Sequence, residues 1–198
     1  MKNSTPFKAI LFQTVLITAT LFSASSCKDN AKPDDGKKIA EKSNEENITN
    51  KKKEKDAEFL VDATVINMEE IKLGQLAQKK STQKDVKQLG KMMEEGHTKV
   101  LNDLTALAAK KSITIPTLPI NKVEQAYQDL SAKSKTDFDK SYSTKMVDGH
   151  KDAIALFEKA AAECNDPDIK QWASTMLPDL RAHLDMAMTT QSKVDKMK

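Results

Sequence analysis

Residues 86–107 read VKQLGKMMEEGHTKVLNDLTAL, and the apolar positions Val86, Leu89, Met93, Val100, Leu104 and Leu107 fall three, four and seven residues apart. That spacing is one stripe of a 3.6-residue helix and not the period of two that a strand requires. The same pattern recurs on both sides of this stretch. Upstream, Phe59, Ala63, Ile66, Leu73 and Ala77 predict a first long helix from about Asp56 to Lys80. Ser81 and Thr82 follow with capping oxygens, and Asp85 stands three residues after Thr82 as in a capping box, which starts the second helix.

Downstream, the segment from Ile113 to Pro119 holds Pro116, Pro119 and several β-branched residues, so the second helix cannot continue through it. Asn121 to Ala132 reads as a short amphipathic helix through Val123, Tyr127 and Leu130. Ser134 with Asp137 opens a third long helix, whose stripe is Phe138, Tyr142, Met146, Ala153 or Ile154, Phe157 and Ala161. Asn165 and Asp166 before Pro167 supply a cap and a first-turn proline for the fourth, with the stripe Ile169, Trp172, Met176, Leu180, Leu184 and Ala187. Pro178 lies inside that helix and is expected to kink it, since it lacks the donor and crowds the carbonyl of Ser174.

Four such helices, each marginal alone, bury their stripes against one another. The predicted fold is all-α: a ferritin-like four-helix bundle over residues 55–192, with the short extra helix in the connection between the second and third long helices. That connection, roughly 22 residues, is long enough to cross over along the bundle. Residues 193–198 are left as a C-terminal tail. Composition agrees, because 5 glycines and 6 prolines in 198 residues are too few for a turn-rich β-sandwich.

The first residues read as an address. Lys2 and Lys8 precede the apolar stretch from Ala9 to Phe22, which gives way to Ser23, Ala24, Ser25, Ser26 and Cys27. About fourteen apolar residues are too short for a permanent transmembrane helix and fit a signal peptide over 1–26. Cys27 after small residues resembles a bacterial lipoprotein site, where the thiol takes a lipid; cleavage leaving a free thiol is the alternative. Residues 27–54 are dominated by Lys, Asp, Glu and Asn and are expected to form a disordered tether to the membrane. Lys28 and Asp29 resemble a surface-export tag of some Bacteroidetes lipoproteins. The expected location is therefore the cell envelope, lipid-anchored at the outer membrane on its periplasmic or outer face. The net charge of +3 includes Lys2 and Lys8, so the mature chain is nearly neutral, which argues against a nucleic-acid partner. Protein partners are undetermined, a homo-oligomer among them. With Cys27 lipidated, only Cys164 remains, and one cysteine builds no disulfide framework.

Polar residues stand where the core should be dry. His97, His150 and His183, all the histidines of the chain, fall on or beside the stripes of three different helices, and Glu70 does so on the first. Counted from the helix ends at 1.5 Å per residue, the four lie within about 6 Å along the axis of a crossover bundle. Met93-Glu94-Glu95-Gly96-His97 and Met146-Val147-Asp148-Gly149-His150 repeat one element: Met, any residue, acid, Gly, His. Each Met is one turn from its His, and each helix-interior Gly, at about 1 kcal/mol, points to a close helix approach or a ligand. The functional reading is a transition-metal site of Glu70, His97, His150 and His183, with Met93 and Met146 as further ligands. Thioethers favour reduced copper, whereas His and Glu alone favour zinc or iron. The alternative makes the methionines core filler and the histidines buried hydrogen-bonded groups, with Glu70 as a candidate partner.

A carboxylate-bridged two-iron centre needs two Glu-x-x-His pairs. Glu94 and His97 supply one, but Val147 stands where the second Glu would be, and Asp179 is four residues before His183. No nucleophile with an activating partner is present, so no catalytic residue is assigned.

The run Glu69-Glu70-Ile71-Lys72-Leu73-Gly74-Gln75-Leu76-Ala77, the two Met-to-His elements, Ala155-Leu156-Phe157-Glu158-Lys159 and Leu177-Pro178-Asp179-Leu180-Arg181-Ala182-His183 together resemble the family called domain of unknown function 4142. The resemblance covers about residues 56–190 and implies a ferritin-like bundle in an exported bacterial protein, often labelled an outer-membrane protein. It carries no established activity. The chain departs from the family pattern at Gly96 and Gly149, where an acid usually precedes the histidine, and at Lys72, where an acid is common; both departures weaken a carboxylate-rich site. Two functions remain open: a lipid-anchored metal-binding protein for storage, buffering or stress protection, and a non-metallic envelope interaction module with structural core histidines.

Overall fold

The structure is a computed structural model and describes residues 34–197; the leader and Cys27 lie outside the described residues. The described chain is all-helical: α1 (Gly36–Asn47), α2 (Lys51–Lys80), α3 (Lys84–Lys110), α4 (Asn121–Ser131), α5 (Lys135–Glu163) and α6 (Pro167–Val194). Helices α2, α3, α5 and α6 are the four long helices expected from the stripes, and α4 is the short one. No helix among the described residues is long and apolar enough to cross a membrane.

Side-chain pairs fix the directions. Helices α2 and α3 form a hairpin, with Gln75 and Gln78 both donating to Glu94. Phe59 meets Phe157 edge-on at 5.1 Å while Glu70 lies beside His150, so α5 runs antiparallel to α2. Asp85 pairs with Lys193 and Lys110 with Asp168, so α6 runs antiparallel to α3. It follows that α3 and α5 run parallel, and the connection between them must travel the length of the bundle. It does so along α2: Val123 packs with Val65, Lys72 pairs with Glu124, and Lys80 donates to the Ser131 carbonyl.

The apolar stripes build two separate cores. One gathers Phe59, Leu60, Leu104, Phe157, Ile169 and Ala173; the other gathers Leu73, Leu89, Met93, Phe138, Tyr142 and Met146. Between the two, each long helix contributes polar residues: Asn67 and Glu70 from α2, His97 from α3, His150 from α5 and His183 from α6. Where α2 and α3 are closest, Gly74 and Gly90 face each other, and an ideal Cβ on Gly74 would stand 2.5 Å from the Gly90 carbonyl oxygen.

Two local expectations are corrected. The tether expected over 27–54 contains helix α1 and the first turn of α2. Asp35 caps α1 through the amides of Lys37 and Lys38, and its second oxygen accepts from Asn121 N. Asn44 pairs both ways with the backbone of Thr114, while Ala40 is buried and Ile48 joins the first core. Polar contacts of one side chain with one backbone group order this segment despite its composition. Second, Ser81 closes α2 and accepts from Gln83 N, while α3 starts at Lys84 with Gln83 as its N-cap residue and no side-chain cap, so the capping box at Thr82 does not form. Pro178 lies inside α6, as expected, and the helix runs from Pro167 to Val194 around it. Ser134 and Asp166 cap α5 and α6 as expected.

Candidate metal centre

The polar layer is assembled by glycines as much as by histidines. A Cβ on Gly96 would stand 2.8 Å from His183 Cε1 and 3.2 Å from its Nε2, so the ring of α6 lies in the gap that this glycine leaves in α3. Gly149 does the same for α2, since a Cβ there would stand 3.2 Å from Glu70 Oε1. The glycine of each repeated element therefore admits a polar side chain from a neighbouring helix, and the histidine that follows is buried.

His97, His150 and His183 meet with ring centroids 5.2–5.5 Å apart. One donor nitrogen from each falls within 4.8 Å of the other two. His97 Nδ1 donates to Asn67 Oδ1 at 2.9 Å, and Asn67 is itself oriented because its Nδ2 donates to the Ala63 carbonyl. His150 Nδ1 donates to the Met146 carbonyl at 2.8 Å. Both partners are oxygens that only accept here, so each Nδ1 carries the proton and each Nε2 presents a lone pair. Those nitrogens, His97 Nε2 and His150 Nε2, together with His183 Nδ1, are buried without any hydrogen-bond partner.

An unsatisfied buried polar atom costs about 1–3 kcal/mol, and such atoms are few in native proteins. Each of the three rings carries one, and on His97 and His150 the other nitrogen is held by an oxygen, which fits the pattern by which proteins orient histidine ligands. Burial first, then the two neighbouring imidazoles, holds His97 well below the usual histidine range. Burial brings His150 down to about 4 against the raising effect of the Met146 carbonyl, and lowers His183 against Asp179. The neutral ring is the form that binds a metal. An ion equidistant from nitrogens at most 4.8 Å apart would stand at most about 2.8 Å from each, so bonds of about 2.0–2.1 Å need each ring to move in by about 0.7 Å at most.

Glu70 belongs to the layer but not to this triangle. Its Oε1 lies 4.0 Å from His150 Nδ1, the nitrogen facing away from the other rings' free donors, and its Oε2 has no partner. Burial, then the charge of Glu69, raises its carboxyl to about 8 against the pull of Lys145. On its outer side a groove of about 980 Å³ reaches Glu70 and Gly149 from the α2 and α5 face. Met93 and Met146 are fully buried in the second core with Leu89 and Phe138. Lys72 is turned toward α4, paired with Glu124 and lying over the Tyr127 ring at 5.0 Å. Cys164 is free and buried, its thiol pushed up to about 12 by burial and by Asp56, which makes it a poor nucleophile. Asn67 is the member of the layer that sequence reasoning missed. Its signal was present, because Ala63, Asn67 and Glu70 are spaced four and three apart.

A family model, Domain of unknown function (DUF4142), matches residues 41–190, about three quarters of the chain. The chain belongs to that family. No curated protein and no solved structure matches it.

Proposed function

For this member of the DUF4142 family we propose a metal-binding role: one transition-metal ion held by His97 Nε2, His150 Nε2 and His183 Nδ1 in the middle of a ferritin-like bundle. The observation that carries the reading is that the three rings bring ligand nitrogens within 4.8 Å of one another and that each ring has a buried nitrogen without a partner. The antiparallel pairing of α2 with both α3 and α5, with a crossover along α2, supports the ferritin-like description. Imidazole suits zinc, copper, iron and nickel. A site of three neutral ligands leaves coordination positions open, which suits reversible loading for storage or buffering better than a closed structural site. Glu70 and the Met93 and Met146 thioethers are proposed as accessory to this triangle. The leader pattern supports attachment of the chain to the cell envelope through a lipid on Cys27, at the outer membrane. Loss of labelled fatty-acid incorporation in Cys27→Ala is the expected result.

The test is elemental analysis of the full chain offered copper, zinc and iron separately, beside a His97→Ala/His150→Ala variant checked for helicity. One ion per wild-type chain and none in the folded variant is expected. A well-folded wild type that takes up no metal overturns the proposal and leaves the histidines as a structural polar layer in an interaction module.

A further inference from the structure

Only one corner of the triangle meets the surface. His97 and His150 are 2% and 1% exposed, while His183 is half-buried. The Cε1 and Nε2 edge of His183 lies over Gly96, where a missing side chain leaves it uncovered. A groove of about 430 Å³ between α3 and α6 opens on this edge, lined by Met92, Glu95, Gly96, His183 and Met186, with Lys91 and Gln88 at its margin. Helical spacing brings these together: Met92 and Gly96 are one turn apart on α3, and His183 and Met186 are three apart on α6. Met186 is 39% exposed, so its side chain is open to solvent where it lines the groove.

The chemistry of this lining is soft. Thioether sulfur neither ionises nor holds a proton at any working pH, and it selects copper(I) over the hard divalent ions. Charge adds little, because Lys91 reaches the carboxylate of Glu95 at 3.7 Å and the two offset each other. His183 offers a nitrogen to each side: Nδ1 is buried toward the other two rings and Nε2 lies on the groove edge.

We propose that this groove is the entry port of the three-histidine site and that its cargo is copper(I), held in transit by the sulfurs of Met92 and Met186 and by His183 Nε2. The inference rests on the three-histidine reading. The ion exchanges one set of neutral ligands for another without redox change; because a neutral imidazole has one lone-pair nitrogen, the His183 proton must move from Nδ1 to Nε2, by exchange with solvent at the groove, as the ion passes from Nε2 to Nδ1, with no net proton release.

The experiment is stopped-flow loading of the full chain with copper(I) supplied as its bicinchoninate complex and, separately, with zinc(II) chloride. The variants are Met92→Leu, Met186→Leu and the double. Leucine keeps the volume and removes the sulfur, and Met186 is exposed enough for its single variant to fold regardless of the rest. The double variant is expected to load copper(I) at least tenfold more slowly, with final stoichiometry and the zinc(II) rate unchanged. Copper(I) loading within twofold of wild type overturns the port and leaves the triangle standing. Equal slowing of both metals overturns the assignment of a soft cargo. Uptake of zinc(II) without copper(I) by folded wild type overturns the port alone, and uptake of neither overturns port and triangle together.

Discussion

Adding one methyl group at Gly96 separates fold from function. In Gly96→Ala the new Cβ meets only His183, at 2.8 Å from Cε1 and 3.2 Å from Nε2. Gly96 lies within α3 and its φ is not positive, so alanine suits the backbone. The helix gains about 1 kcal/mol of propensity, worth a rise of about 2–4 °C in Tm for a domain of this size. Restoring ordinary contact requires the ring of His183 to withdraw by about 0.6 Å or more, several times the tolerance of about 0.2 Å on a metal–ligand bond. Misorienting a ligand typically lowers affinity by about 10–100-fold. The expected result is thus a metal-free protein at least as stable as wild type by thermal melting, with zinc or copper affinity lowered 10–100-fold by competition titration. Affinity within threefold of wild type would refute the placement of His183 in the site. So would a parallel loss of stability and affinity, which would mean that the methyl damages the bundle and not the ring.

In Asn67→Leu, His97 Nδ1 loses its acceptor, so metal affinity is expected to fall by about 10–100-fold; titration of a variant with wild-type helicity checks it. Gly74→Ala puts a Cβ 2.5 Å from a backbone oxygen of α3, where no side chain can yield, so despite the propensity gain a net loss of about 1–3 kcal/mol in urea unfolding is expected. Glu70 titrates at about 8 when folded against 4.5 as its ordinary value, so the folded state binds the extra proton and the metal-free protein loses stability as pH rises from 4.5 toward 8. Glu70→Gln removes that loss: it should match wild type near pH 4.5 and exceed it at pH 7 by on the order of 3 kcal/mol at most, read from urea midpoints across pH. His150 carries the opposite sign, its folded value of about 4 lying below the ordinary 6.5, so in His150→Asn the steep loss of stability on acidification from 6.5 to 4 is expected to flatten.

The four long helices were legible because each must bury one face, and a stripe of Leu, Met and Phe at helical spacing has no other use. Helix α1 was not. It is held by Asp35, Gly36 and Asn44, which bind backbone groups about 70–86 residues away, and polar pairing over such separations leaves no periodicity. The same limit hid Asn67, whose spacing fits the stripe but whose partner, His97, is 30 residues away. Counting residues from the helix ends did place the three histidines and Glu70 at one level, since helical rise is fixed. What counting cannot supply is the direction of the His97 and His150 rings, which depends on the Asn67 and Met146 oxygens.

The repeated Met-x-acid-Gly-His element shows how far sequence reasoning reaches and where it stops. A glycine inside a helix argues that something comes close, and in both copies something does; it is a side chain, not a backbone. Helices α3 and α5 run parallel and face each other across the bundle, each packed between α2 and α6, so the two copies point in the same sense, each with a buried histidine. Gly96 admits His183 from α6, and Gly149 admits Glu70 from α2. The two halves of the layer are thus built by one device used twice, and His183 and Glu70 occupy equivalent places in it. The equivalence ends at the chemistry. The imidazole of His183 completes the triangle through Nδ1, whereas the carboxyl of Glu70 stands 4.0 Å from the already bonded Nδ1 of His150. A repeat in sequence therefore fixes the level and the openings of the layer, and the residue that enters each opening decides that the site has three nitrogens on one side and a buried acid on the other.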